Sequence, residues 1–293
     1  MIAKPGQQIA PIYHRRIGDI LVTAISDGTL ERTNEMMLGV PEAEARMHLD
    51  AACRSSFVLS INAFLIRQGD RLALVETGSG NYLGPSAGHL KANLAVAGVE
   101  TSDIDTILLT HMHPDHSAGL TDMTTGKANY ESAELVVHEA EPRHWFDDAA
   151  MSRGSEREKR LMFQQAREQA APYLGRMRTF TDGEVFPGVT AIPCTGHTPG
   201  HTGYLVESGG DRLFIWGDIV HMPEVQVPRP EVSMVVDTDP EAAAASRRRV
   251  FDMVASERLL VTGMHLHFPG FAHVIRDGAT GYRLVPEAWR QTL

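Results

Sequence analysis

Cysteine is almost absent from this chain. Cys53 and Cys194 are the only two among 293 residues; they lie far apart in no CxxC pattern, which excludes a disulfide framework and a four-cysteine zinc site. Long apolar runs are missing too. No stretch approaches 18 apolar residues, so no membrane-spanning helix is expected. The opening residues, MIAKPGQQIAPIYHRR, hold no apolar run of the length a signal peptide needs. The expected compartment is the cytoplasm, with no membrane partner. Basic charge is scarce: 27 Lys plus Arg stand against 37 Asp plus Glu, a net charge of -10 at pH 7. That balance works against a polyanionic partner, so no nucleic acid is expected. The one dense basic run, Arg247 to Arg249, lies in an Ala-rich helical segment and reads as a solvated helix face.

What is present is an ordinary globular balance, 43% hydrophobic and 22% charged, enough for a sizeable core. Apolar, β-branched runs bounded by Gly, Asp or Asn read as strands over residues 19–28, 56–78 and 202–218. The last two each contain two runs joined by a polar turn, RQGD and SGGD, which predicts antiparallel hairpins. Helical patterns cover about 86–97, 139–150, 156–171 and 240–256, and short strands follow at 106–110, 134–138 and 258–263. Hairpins followed by β/α alternation, twice over, suggest two similar α/β halves packed sheet to sheet. No linker or repeat divides the chain. The reading is one domain over 1–293, with an N-terminal extension at 1–18 and a helical insertion at about 139–172.

One segment concentrates metal-capable side chains. THMHPDHSAGL places His111, His113, Asp115 and His116 in the loop after a predicted strand. Residues two apart on extended chain face the same way, so His111 and His113 can share one ion. Pro114 then turns the chain so that Asp115 and His116 can face a second. Imidazole nitrogen and carboxylate oxygen suit Zn²⁺, Mn²⁺, Co²⁺ or Fe²⁺ without any thiolate. GHTPGHTGYL (His197, His201), FIWGDIVH (Asp218, His221) and VTGMHLHFPGFAHV (His265, His267, His273) follow downstream, several of them just after an apolar run. Cys194 reads as a small buried residue at a strand end.

HxHxDH, then GHTPGH, then GD after a strand and a late His after another, resembles the metallo-β-lactamase fold superfamily. The resemblance implies an αββα sandwich of two mixed sheets, with His111, His113 and His197 on one metal and Asp115, His116 and His265 on the other. Asp218 would bridge them together with a hydroxide. RRIGDI, NAFLI, THMHPDH, GHTPGHT and HLHFPGFAHV are similar to the methyl parathion hydrolase branch, whose relatives include lactonases and arylesterases. That pattern selects His265 over His267 and implies a homodimer. Glu76, in VETG, stands where the superfamily usually has Asp, and the resemblance implies that this carboxylate supports the metal loop.

The chemistry implied is attack by a metal-bridging hydroxide on a carbonyl or phosphoryl centre. Asp218 and Asp115 are the candidate catalytic residues, with zinc the first-ranked metal at both sites. Without GxSxG, a serine nucleophile is disfavoured. The expected substrate is a small apolar ester or lactone, with phosphotriester hydrolysis as a side activity; an organophosphate as main substrate is the alternative. Leu83, Trp145, Phe163, His221 and Val236 are the expected pocket residues, although core packing accounts equally well for Trp145 and Phe163. A β-lactamase is disfavoured because that activity expects export and the GD aspartate is not typical of it. A glyoxalase II-like thioesterase would want a helical C-terminal region where GYRLVPEAW reads as strand. RNA processing would want a basic surface. A di-iron redox or non-catalytic metal-binding module is the alternative from a different class.

Overall fold

The computed structural model describes residues 8, 9, 11–279 and 281–293. Its first sheet is laid down in chain order as β1 (Ile12–Ile17), β2 (Ile20–Arg32), β3 (Phe57–Gln68), β4 (Arg71–Val75), β5 (Thr106–Leu108), β6 (Glu134–His138) and β7 (Met177–Phe180). The first three pairings, through β4, are antiparallel, and β4 to β7 run parallel. The second sheet is β8 (Gly183–Phe186), β9 (Val189–Pro193), β10 (Thr202–Ser208), β11 (Asp211–Ile215), β12 (Leu260–Thr262), β13 (Ala272–Asp277) and β14 (Gly281–Pro286). Only β11 and β12 are parallel there.

The β4 sequence RLALV shows why the sheets stack. Ala73 and Val75 point to the second sheet, packing with Val206, Leu213 and Ile215, while Leu72 and Leu74 point outward against Leu90 and Leu94 of the helix Leu90–Val96. Both faces are covered, so the run is nearly continuous in apolar residues rather than alternating. The second sheet is covered outside by the helix Pro240–Ser256, whose Val250, Phe251 and Val254 meet Phe214, Trp216 and Val261. The four layers are the αββα sandwich expected from the sequence.

Both predicted hairpins form, β3–β4 and β10–β11. The segment read as an N-terminal extension contains β1, paired to β2; residues 1–7 and 10 of it lie outside the described residues. The helical insertion is a chain of short helices from Ala140–Trp145 to Gln165–Ala170, covering the outer face of the first sheet through Trp145, Phe163 and Ala166. Arg247 corrects the solvated-face reading of the basic run. Its guanidinium is buried and donates to the carbonyls of Ile219, Pro230 and Val232, because the loop after β11 folds under the helix and leaves those acceptors facing it. Arg248 and Arg249 are exposed. Among the described residues no helix is long and apolar enough to cross a membrane.

Candidate metal centre

The loops after β5, β9, β11 and β12 meet at one edge of the sandwich. Thr202 N donates to Thr110 O at 3.0 Å, joining the two sheets there. Past β5 the chain bends at Thr110, is extended at His113, and then makes one helical turn over Pro114–Ser117. Gly217 is required before Asp218: its φ is +59°, and a Cβ there would lie 2.4 Å from His201 Nε2.

His111, His113 and His197 converge. His197 Nε2 lies 3.1 Å from His111 Nε2 and 3.0 Å from His113 Nδ1. Burial first, and then the neighbouring rings, hold His111 and His113 well below the ordinary imidazole range, so both are neutral. Each proton shared in such a triangle serves one contact and leaves other lone pairs opposed. A cation placed among them satisfies all three.

Asp115, His116 and His265 form a second group. Asp115 Oδ2 is 3.4 Å from His265 Nε2, and its Oδ1 is 3.6 Å from His116 Nε2. His265 Nε2 and His116 Nε2 are buried without a hydrogen-bond partner. Between the groups sits Asp218 Oδ2, 3.7 Å from His111, 3.2 Å from His197, and 3.3 Å from each of His116 and His265. Burial opposes its charge, but the histidines around it, His116 and His265 foremost, hold its carboxyl well below the usual range. The other oxygen, Oδ1, has no partner. Buried, unsatisfied polar atoms of this kind are costly unless something binds them. Two adjoining sets of nitrogen and oxygen ligands sharing one carboxylate suit a binuclear metal site.

Further residues fix these rings. His265 Nδ1 is 2.8 Å from Ser60 O; a carbonyl only accepts, so the proton is on Nδ1 and Nε2 faces the site. Asn62 Nδ2 donates to Leu266 O at 2.7 Å and holds the same loop. His201 is no part of the donor set. Its Nδ1 donates to Cys194 O and its Nε2 accepts from Asp218 N, both at 2.8 Å, and burial pulls its pKa down to about 3, keeping it neutral. Glu76 is buried with φ +68°; its Oε1 accepts from Thr110 N at 2.9 Å and stands 3.6 Å from His116 Nδ1, too far for a hydrogen bond. The longer side chain therefore holds the loop through backbone. Asp237 was not foreseen from the sequence: its Oδ1 lies 2.7 Å from His197 Nδ1. The signal available was its position after the apolar run SMVV, the same cue that marks Asp218.

Beside His113 opens a cavity of about 490 Å³ with an apolar wall of Trp145, Phe163, Met162 and Val236, and with Arg153, Arg157, Glu158 and Asp237 also lining it. Trp145 and Phe163 thus serve both readings, buried in the core yet bordering the cavity. Leu83 is not among its lining residues; it packs against the cluster of Met37, Leu59 and Met222, which Val236 and Met36 of the cavity wall also join. His221 does not line it either; it is buried with Nε2 2.9 Å from Asp218 Oδ2. His267 pairs with Glu224 at 2.6 Å and His273 with Leu259 O, both away from the centre.

Comparison with known proteins agrees with this geometry. The chain is 30% identical to the hydrolase AbOPH of the beta lactamase superfamily, whose crystal structure matches with a TM-score of 0.92 over 97% of this chain and 100% of that one. AidC, a dizinc quorum-quenching lactonase, shares the fold at a TM-score of 0.89 and 23% identity, over 96% and 99% of the two chains. The probable metallo-hydrolase Rv2300c of Mycobacterium tuberculosis is 27% identical over 258 residues, 75% of this chain and 78% of that one. A family model matches residues 57–276, from β3 to the penultimate strand and across all four metal-site loops, and by that match the chain belongs to the metallo-beta-lactamase superfamily of metallohydrolases.

Proposed function

We propose that the chain hydrolyses small apolar esters or lactones at a binuclear metal centre, with phosphotriesters as a side activity. The observation that carries this reading is Asp218 Oδ2, lying within 3.2–3.7 Å of histidine nitrogens from both donor groups, next to the cavity with an apolar wall that His113 borders. The lactonase activity of AidC supports the substrate class.

Two divalent ions bound here would lower the pKa of a water toward neutrality and polarise the substrate oxygen. Zinc is the proposed metal, and manganese, cobalt or iron suit the same nitrogen and oxygen donors. His111, His113 and His197 would hold one ion, Asp115, His116 and His265 the other, with Asp218 common to both. The remaining work belongs to the chain. Asp218, kept ionised by the histidines around it, orients the attacking water and takes a proton towards the leaving group. Asp115 is the more open carboxylate, at 20% exposure, and supports the water from the solvent side. Trp145, Phe163 and Val236 bind the apolar part of the substrate and exclude bulk water.

The test is a screen of metal-reconstituted protein against an aryl ester, dihydrocoumarin, acyl-homoserine lactones and methyl parathion. The expected result is fastest turnover of a lactone or aryl ester, weaker turnover of methyl parathion, and loss of both metal and rate in Asp218→Ala. Turnover of none overturns the proposal, and iron with a visible absorption band would favour a redox module.

A further inference from the structure

One buried carboxylate takes no part in the chemistry above, yet touches three components of the site. Glu141, in the helix Ala140–Trp145, has no solvent exposure. Its Oε2 accepts from Met112 N at 2.9 Å and from Trp145 Nε1 at 2.7 Å. Its Oε1 accepts from Thr198 Oγ1 at 2.5 Å and from Gly200 N at 2.8 Å. Met112 lies between His111 and His113, and Thr198 follows His197, so the two oxygens grip the two loops that carry one histidine triad. The indole bound by Oε2 stands edge-on to His113, with ring centres 5.5 Å apart, and borders the cavity.

The approach is close enough to dictate sequence. A Cβ at residue 200 would lie 2.8 Å from Glu141 Cγ and 2.9 Å from its backbone N, so only glycine fits opposite the carboxylate. Four donors fill the acceptor directions of an ionised carboxylate, and no other side-chain type of this size accepts at both ends.

We infer that Glu141 is a positioning residue of the metal centre, holding the His111–His113 loop, the His197 loop and the Trp145 pocket wall in one register. The inference rests on the binuclear reading and adds an asymmetry to it. The triad of His111, His113 and His197 depends on Glu141, whereas Asp115, His116 and His265 do not touch it.

Glu141→Gln is the discriminating variant because it keeps the shape and removes one acceptor. Met112 N–H and the indole N–H can only donate, so the amide oxygen faces them. The amide NH₂ then faces Thr198, whose hydroxyl can turn round to accept, and Gly200 N–H, which cannot. The His197 loop is therefore the one released. Zinc titrated against a chromophoric chelator should give two tight ions in the wild type. In Glu141→Gln one should remain tight and one weaken roughly 10- to 100-fold. Zinc anomalous scattering from variant crystals at one equivalent should place the retained ion beside His116 and His265. Unchanged affinities, or equal weakening of both ions, overturn the inference, since a merely structural role would not choose between them. If circular dichroism shows that Glu141→Gln does not fold, Thr198→Val takes its place: selective weakening of one ion supports the inference and wild-type affinities overturn it. A wild type that binds no zinc defeats the binuclear reading itself, and the inference with it.

Discussion

His197 donates its Nδ1 proton to Asp237 Oδ1 across 2.7 Å, and the other oxygen of Asp237 is held by Met234 N at the same distance. The pair fixes which nitrogen of His197 carries the proton and which faces Asp218. Asp237→Ala leaves the ring free to turn and to change tautomer. Metal affinity should fall roughly 10- to 100-fold, with Asp237→Asn, whose amide oxygen still accepts, falling less. Chelator competition measures both, and equal affinities for wild type and Asp237→Ala would refute the role.

The cavity wall predicts a split in the kinetic constants. The Phe163 ring centre is 5.0 Å from that of Trp145 in the lining beside His113, and Phe163 is not itself one of the proposed ligands. Phe163→Leu keeps most of the volume but removes aromatic contact. Loss of about 1 kcal/mol of apolar binding should raise KM about fivefold for a long-chain acyl lactone, with kcat nearly constant. Steady-state kinetics across a series of acyl chain lengths checks this. A fall in kcat at constant KM would place Phe163 outside the wall.

Arg247 joins the helix Pro240–Ser256 to the loop after Asp218 through three carbonyls, at 2.6, 3.0 and 2.7 Å. Burial pulls its pKa down to about 10, so it stays charged at neutral pH. Arg247→Met fills the space but leaves buried acceptors unpaired, and should destabilise the fold by about 3 kcal/mol. Urea unfolding of both proteins at equal metal loading measures the difference. An unchanged midpoint would mean that water replaces the guanidinium.

The two thiols should separate cleanly. Cys53 is exposed and Cys194 is buried, its thiol pushed up to about 11 from an ordinary 9.0 by burial. Ellman's reagent at pH 8 should therefore titrate one thiol in the native protein and two after denaturation. The fold favours the protonated form of Cys194, so its contribution to stability is fully present below pH 9 and declines as pH rises from 9 towards 11, where only the unfolded chain has lost the proton. Two fast thiols in the native protein would contradict the burial.

The parts of the site legible in the sequence are those with local geometry. His111 and His113 share a face because extended chain alternates, and Pro114 starts the turn that swings Asp115 and His116 away, so four candidate ligands can be read from six residues. β3–β4 and β10–β11 are legible for the same reason, each being two apolar runs around a Gly-containing turn. β1 was hidden in an apparent extension because IYHRRI is half polar, and an edge strand needs only one buried face. Arg247 was misread because Arg in an Ala-rich helix looks the same whether it faces water or a folded-back loop.

By itself the sequence determined the spacing of the candidate ligands, the strands that end beside them, the near absence of cysteine and the excess of acidic over basic charge, all read directly from the residues. Tertiary structure alone decided that Asp237 backs His197, that Glu141 spans two loops, that Leu83 joins the Met37, Leu59 and Met222 cluster and that Glu76 accepts from Thr110 N. Each of these is a contact between residues distant along the chain. Such contacts form only when the two sheets have stacked and their edge loops are brought within hydrogen-bond reach, and no local periodicity encodes that distance.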